Sequence, residues 1–270
     1  MRRITIVFFC IALTWLPTGA HTTDEKDKLT AQDIITKHLA AIGGRDALAK
    51  VKTRVAIGTA TKESDAAVTM AIMSQAPDRV SALYQFEGYN WQLIYDGSKS
   101  ICKPIFSRTT SQVMQKYEDM LSTGTLFNDA SLFNALLAGE SSGLKFEAKG
   151  TKKIKGKNAY LVEMKRPKGA AVKLYFDTET FMWVRTEYGN VSLTKPMSTF
   201  SNERTSKDEE TTYEFYVDTS DFKDVEGLKL PFRIEIVATT PILKQKNIGT
   251  IVAIIKEYRQ NIEIDPKMFQ

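Results

Sequence analysis

The chain has 270 residues, 43% hydrophobic and 26% charged, with 2 Cys, 2 His and a formal net charge of +5. Two cysteines are too few for a disulfide scaffold, no Cys/His cluster is present to hold structural zinc, and ordinary apolar content with a small net charge excludes a disordered chain. The length would allow two domains, but an all-β protein of about 200–250 residues is often one unit.

Arg2 and Arg3 precede an apolar run from Ile4 to Trp15, followed by Pro17-Thr18-Gly19-Ala20. A basic start, a short apolar stretch and a small-residue end make residues 1–20 a secretory signal peptide, with cleavage expected before His21. The run falls short of the roughly 20 apolar residues that span a bilayer. Cys10 lies inside it, where a lipidated cysteine would not be. Processing would leave 35 Lys+Arg against 32 Asp+Glu and one cysteine, Cys102. The expected location is outside the cytoplasm, in a bacterium the periplasm. Residues 21–29 are polar and charged and read as a flexible leader, and residues 30–270 as a single domain.

Thr30 and Asp33 have capping-box spacing, and Gly43-Gly44 supplies the stop, so a helix is expected between them. Ile34, Ile35, Leu39 and Ile42 form its apolar stripe; His38 reads as a surface residue of this helix. From Thr53 to Ile105 the period becomes two, as in half-buried strands. Val68, Met70 and Ile72 share one face; so do Val80, Ala82, Tyr84 and Phe86, and so do Trp91, Leu93 and Tyr95, with Asp96-Gly97 as a hairpin turn. Val113, Met114, Tyr117, Met120 and Leu121 then follow a helical period within Thr109–Leu121. Asn128 can cap a further helix, Asp129–Ala138, striped by Phe133, Leu136 and Leu137. Strands resume at Leu144–Lys149, Ala159–Lys165, Val172–Phe176 and Trp183–Tyr188, with turns at Gly156-Lys157-Asn158, Pro167–Gly169 and Asp177–Thr180. After a polar stretch, Tyr213–Val217, Leu228–Ala238 and Ile251–Ile264 complete the pattern. The expected fold is α+β: a long, curved antiparallel sheet whose apolar face is covered by three helices.

This order of elements resembles the periplasmic outer-membrane lipoprotein carrier and sorting family (LolA/LolB-like), whose fold is an incomplete β-barrel with helices over its concave apolar face. Ala76-Pro77-Asp78-Arg79-Val80 is similar to the start of that family's third strand. Asp96-Gly97-Ser98-Lys99 with Lys103-Pro104-Ile105-Phe106 resembles its hairpin before the helical insertion. Ser131 to Leu137 is similar to its second insertion helix, and Val172–Asp177 with Thr178–Arg185 to a late hairpin. Ile264-Asp265-Pro266-Lys267-Met268-Phe269 is similar to its closing segment. This chain is longer than the family's usual size, chiefly between Tyr188 and Leu228. The resemblance implies a non-enzymatic, exported carrier or binding protein for lipid or the acyl chains of lipoproteins, with no cofactor.

The residues support binding over chemistry. Acyl chains need an adaptable apolar groove, in which each buried methylene contributes about 0.8 kcal/mol and unbranched Met fills irregular space. The expected lining from the sheet is Met70, Ile72, Tyr84, Phe86, Trp91, Leu93 and Tyr95. From the helices it is Val113, Tyr117, Met120, Phe133, Leu136 and Leu137. A second feature lies between Lys145 and Lys173, where ten Lys/Arg meet two Glu. Lys149, Lys152, Lys153, Lys155, Lys157, Lys165, Arg166 and Lys168 are expected to form a surface patch. It serves either as a solvated, edge-protecting face or as a contact for an anionic membrane or acidic protein partner. Nucleic acid does not fit export and modest charge.

No nucleophile elbow, HExxH, P-loop or GxGxxG occurs. Carboxylates such as Glu209-Glu210 and Asp218/Asp221 read as solvated turns without the desolvation a general acid needs. A processed N-terminal His21 with His38 could in principle chelate copper, but a mobile leader lacks the rigid support a metal site requires. Two function classes stay open: a carrier that holds acyl chains, and a regulatory module of the same fold that holds a protein partner.

Overall fold

The structure is a computed structural model that describes residues 29–62, 66–86, 89–96, 100–106, 136–137, 143–165, 171–194, 210–240 and 245–270. Helices α1 (Ala31–Ala41) and α2 (Arg45–Lys50) lead into strands β1 (Thr53–Lys62), β2 (Val68–Gln75), β3 (Arg79–Phe86), β4 (Tyr89–Tyr95) and β5 (Ser100–Phe106). Seven more follow: β6 (Lys145–Ile154), β7 (Lys157–Lys165), β8 (Val172–Asp177), β9 (Trp183–Thr194), β10 (Glu210–Val225), β11 (Leu228–Thr240) and β12 (Gln245–Gln260). A 3-10 turn, Pro266–Phe269, closes the chain.

The expected first helix is present, and its cap is the predicted one. The Thr30 hydroxyl accepts from the Asp33 backbone N–H, while the Asp33 carboxylate accepts from the Thr30 N–H at 3.0 Å. Two otherwise orphaned helix-end groups are thereby satisfied. At the other end Gly43 has φ +124°, and a Cβ there would collide with the Gly227 carbonyl. Glycine therefore lets the end of α1 press onto the β10–β11 turn, where the Lys229 N–H donates to the Ile42 carbonyl.

The strands form one 12-stranded sheet in the order β5-β4-β3-β2-β1-β12-β11-β10-β9-β8-β7-β6, antiparallel throughout. Every neighbour is consecutive in sequence except one: the first strand pairs with the last, Arg54 opposite Gln260. The described sheet is open, with β5 at one edge and β6 at the other, so the chain between Phe106 and Lys145 joins opposite edges. Of the helices expected in that stretch, Thr109–Leu121 lies outside the described residues. Asp129–Ala138 is described only at Leu136 and Leu137, which are helical.

Several boundaries differ from the periodicity, and β6, β9, β10 and β12 all start or end elsewhere. The β6–β7 turn falls at Lys155-Gly156, both at positive φ (47° and 86°), so Lys157 and Asn158 already belong to the strand. A two-residue turn of this hand matches strand twist and needs φ > 0 at both positions, which overrides the polar three-residue reading. The last strand ends at Gln260 rather than Ile264, because Asn261 turns into the left-handed region (φ 54°) and its side chain accepts from the Lys52 N–H. The extra length after Tyr188 goes partly into strand: β9 runs on to Thr194, which pairs with Glu210 of β10.

Alternate residues face opposite sides of a strand, and directly opposed residues share a side. The side toward α1 carries one continuous apolar cluster. It contains Ile34, Ile35 and Leu39 of α1, Met70 and Ile72 of β2, Val162 of β7, Phe176 of β8 and Val217 of β10. This is the inner face. The outer face has a smaller cluster, Ala159, Leu161 and Tyr175. A second outer patch is covered by the closing 3-10 turn. There Phe269 is buried, and the Gln92 amide donates to the Met268 carbonyl and the Ser81 hydroxyl, each at 3.0 Å.

Candidate functional site

The register brings the expected sheet residues to one face. Met70 opposes Tyr84, which opposes Trp91; Ile72 opposes Ala82, which opposes Leu93; Val80 opposes Tyr95. Phe86 occupies the same alternate set in β3, opposite Tyr89. Met70 and Ile72 are buried, and Tyr84, Tyr95 and Leu137 pack partly buried against the same inner cluster that holds the fully buried Leu136. Burial raises the pKa of the Tyr84 phenol, keeping it neutral. The Leu137 carbonyl accepts from the Arg45 guanidinium at 2.7 Å, tying that helical pair to α2. The side chains of Phe86, Trp91 and Leu93, and all of Val113, Tyr117, Met120 and Phe133, lie outside the described residues.

His38 corrects the sequence reading. It is 2% exposed, not on the surface. It sits three residues after Ile35 and four after Ile34, in the middle of the apolar stripe, and tertiary packing buries it there. Its Nδ1 lies 2.9 Å from the Phe181 carbonyl, and its ring packs against Phe176 and Trp183 with centroids at 5.0 and 6.2 Å. Nε2 has no partner among the described residues. Burial in these rings lowers its pKa from 6.5 to about 4, only partly opposed by the bond to Phe181, so the imidazole is neutral at neutral pH. Phe181 is itself held at φ 56°, stacked on Tyr160, with the Lys37 ammonium over its ring.

The basic segment divides into two parts. Toward one end of the β6–β9 outer face, lysines alternate with glutamates. Lys165 pairs with Glu163 at 3.0 Å and Glu147 at 3.4 Å, Lys149 pairs with Glu147, and Lys173 reaches Glu187 at 3.7 Å. At the hairpin tip, Lys152, Lys153 and Lys157 are exposed and have no ion pair among the described residues. Lys155 is different again: its ammonium lies 2.8 Å from Asp218 and 3.3 Å from Glu235. Arg166 and Lys168 lie outside the described residues.

Asp218 is the second correction. It is a buried strand residue, not a solvated turn. Arg185, opposite it on β9, donates through Nε at 2.6 Å and Nη2 at 2.9 Å, a two-point pairing that a guanidinium makes and an ammonium does not. The guanidinium also covers the Tyr216 ring at 4.0 Å. The arrangement of Arg185, Asp218, Lys155 and Glu235 escapes sequence reading because four different elements supply it, and only the register shows Arg185 facing Asp218. Among the described residues no group of His, Cys, Asp and Glu is placed to hold a metal ion, and no helix is long and apolar enough to cross a membrane.

The open antiparallel sheet with a helix against its apolar face agrees with the curved-sheet architecture that the sequence resemblance implied, while the further helices expected over that face lie outside the described residues except at Leu136 and Leu137. Solved structures carry the comparison further. An outer membrane lipoprotein-sorting protein domain from Vibrio parahaemolyticus aligns with TM-score 0.50 and 8% identity, covering 88% of this chain and 95% of that one. A DUF1329 family protein from Desulfovibrio piger aligns with TM-score 0.53 and 10% identity, over 89% of this chain and 97% of that one. A LolA superfamily protein from Nitrosomonas europaea aligns with TM-score 0.48 and 12% identity, over 90% and 98%. No family model matches the sequence, and no curated protein matches it. At such identities the likeness is one of fold.

Proposed function

We propose that this chain is an exported, non-enzymatic carrier or binding protein for lipid or lipoprotein acyl chains, working in the bacterial cell envelope. The observation that carries the reading is the register. Met70, Ile72, Tyr84 and Tyr95 share the inner side of neighbouring strands, the side to which Leu136 and Leu137 also pack, and Phe86, Trp91 and Leu93 stand at register positions in line with them. An acyl chain asks for such a surface and for little else: apolar area removed from water contributes about 25 cal/mol per Å² without any directional contact. The neutral Tyr84 phenol suits an apolar ligand, and Met70 adjusts to chain length at low cost. Two solved structures with TM-score at or above 0.50 share this fold, and one is named for lipoprotein sorting.

The test is extraction of the purified chain with organic solvent, with native mass spectrometry before and after. Fatty acyl species should leave with the solvent, and a fluorescent fatty acid should then bind. Met70→Glu places an anion in the apolar face and should weaken that binding at least tenfold. A preparation free of acyl chains that also fails to bind the probe would end this reading, and a stoichiometric co-purifying protein would favour the regulatory alternative.

A further inference from the structure

We propose that Tyr84 is the polar anchor of the inner face: its hydroxyl donates to the carbonyl of a bound acyl chain, ester or amide. The inference rests on the acyl-chain reading and adds which group of the ligand this face selects. Strand β3 sets Tyr84 opposite Met70 and two residues from Ala82, which stands opposite Ile72. Met70, Ile72 and Ala82 are buried members of the inner cluster, and Tyr84 packs partly buried against it. Such a surface attracts a tail without fixing its position, because the hydrophobic effect is non-directional. A placed polar group is what gives a ligand one seat.

Two other tyrosines show what a sheltered phenol does in this fold. Tyr175 donates to Glu187 at 2.7 Å on the outer face, and Tyr258 of the inner cluster donates to the Pro231 carbonyl. The Tyr84 hydroxyl has no hydrogen-bond partner among the described residues. Burial raises its pKa, and neither a charge nor a hydrogen bond contributes, so the phenol is neutral and sheltered from water. Phenylalanine would fill the same space without leaving a donor unsatisfied, so packing does not account for the hydroxyl.

The chemistry of the hydroxyl names its complement. A neutral phenol presents an O–H donor, and plain hydrocarbon offers it nothing. A carboxylate head would bring a charge to a place where Met70, Ile72 and Ala82 supply no cation. An acyl carbonyl is neutral, accepts the bond, and stands where every ester- or amide-linked chain joins its headgroup. In apolar surroundings that bond is electrostatically stronger than in water. Tyr84 thus sets where along the chain the ligand is held, and it favours linked acyl chains over free alkyl chains.

The experiment is displacement of a fluorescent fatty acid from the delipidated chain by methyl laurate, N-methyl lauramide and pentadecane. Tyr84→Phe should weaken the ester and the amide about three- to tenfold, the worth of a neutral hydrogen bond, and leave pentadecane unchanged. Tyr258→Phe, whose hydroxyl is already engaged, should keep the parent's ratio of ester to alkane. With carbonyl-labelled methyl laurate, the infrared carbonyl band should lie lower in the parent than in Tyr84→Phe, because a hydrogen bond weakens C=O. Without ligand, Tyr84→Phe should not lower the urea midpoint, whereas Tyr258→Phe should. A loss confined to the ester or to the amide supports the proposal and names the linkage. Equal weakening of all three ligands would assign Tyr84 to packing and overturn it. So would one carbonyl frequency in both proteins, or a lower midpoint for ligand-free Tyr84→Phe. If the parent binds neither the probe nor any of the three, the acyl-chain reading itself fails and takes this inference with it.

Discussion

The two faces of the C-terminal strands are made from alternate residues of the same segments, yet they handle polar groups in opposite ways. On the outer face Asp218 is buried and charged, and two cations on neighbouring elements neutralise it. On the inner face His38 is buried and neutral, with the Phe181 carbonyl as its partner and two aromatic rings, Phe176 and Trp183, packed against it. Burial of a charge is tolerated where the register supplies a counter-charge. Where it supplies rings, the group gives up its proton instead.

Removing one partner should break this contrast most sharply. Arg185→Ala leaves Asp218 buried with Lys155 as its remaining cation and should lower stability by about 3–5 kcal/mol in urea unfolding. A loss below about 1 kcal/mol would mean that Lys155 alone suffices. The inner face predicts a pH effect of comparable size. Because the folded pKa of His38 lies near 4, below its ordinary 6.5, the unfolded chain takes up the proton first as the medium is acidified. The stability present above pH 6.5 should therefore decline between about 6.5 and 4, by at most about 3 kcal/mol from this group. His38→Leu should remove that part of the slope, and an unchanged slope would place its origin elsewhere.

A smaller effect is expected at the start of α1, which presses His38 into place. Thr30→Ala removes the side-chain half of the capping box and should cost about 1 kcal/mol, read as a shifted urea midpoint at constant m-value. Smallest of all is Lys165→Met. Its pairs with Glu163 and Glu147 lie on the surface in water, so the urea midpoint should not move measurably.

What was legible in the sequence was local. Thr30 and Asp33 announced the helix because a capping box is written in four residues, and the period of two from Thr53 onward set Met70, Tyr84 and Tyr95 on a common side. Leu136 and Leu137 were likewise visible as an apolar pair on a helix. His38 was misread because its polar identity outweighed its position: spacing from Ile34, Ile35 and Ile42 already put it in the stripe. Asp218 was misread for a different reason. In Asp-Thr-Ser-Asp the local composition is that of a turn, and only pairing with Arg185, 33 residues earlier, makes a buried strand position tolerable. The division of the lysines also required the third dimension, since Lys155 is paired with Asp218 and Glu235 while Lys157, two residues on, makes no ion pair among the described residues.

The pairing of β1 with β12 has a consequence for how the molecule is made. Arg54 and Gln260 meet across 206 residues of chain, so the middle of the sheet is the last part to close as the polypeptide emerges. Gly58 sits at the bulge in that seam, where a Cβ would run into the Ile254 carbonyl. Until the final strand arrives, β1 and β11 each present a long unpaired edge, the kind of surface on which nascent chains aggregate. The two meanders can form early from local contacts, but joining them requires contacts between residues more than 200 positions apart. A newly made copy thus passes through two incomplete sheets, and the edges it exposes meanwhile are those that become the centre of the fold rather than its rims.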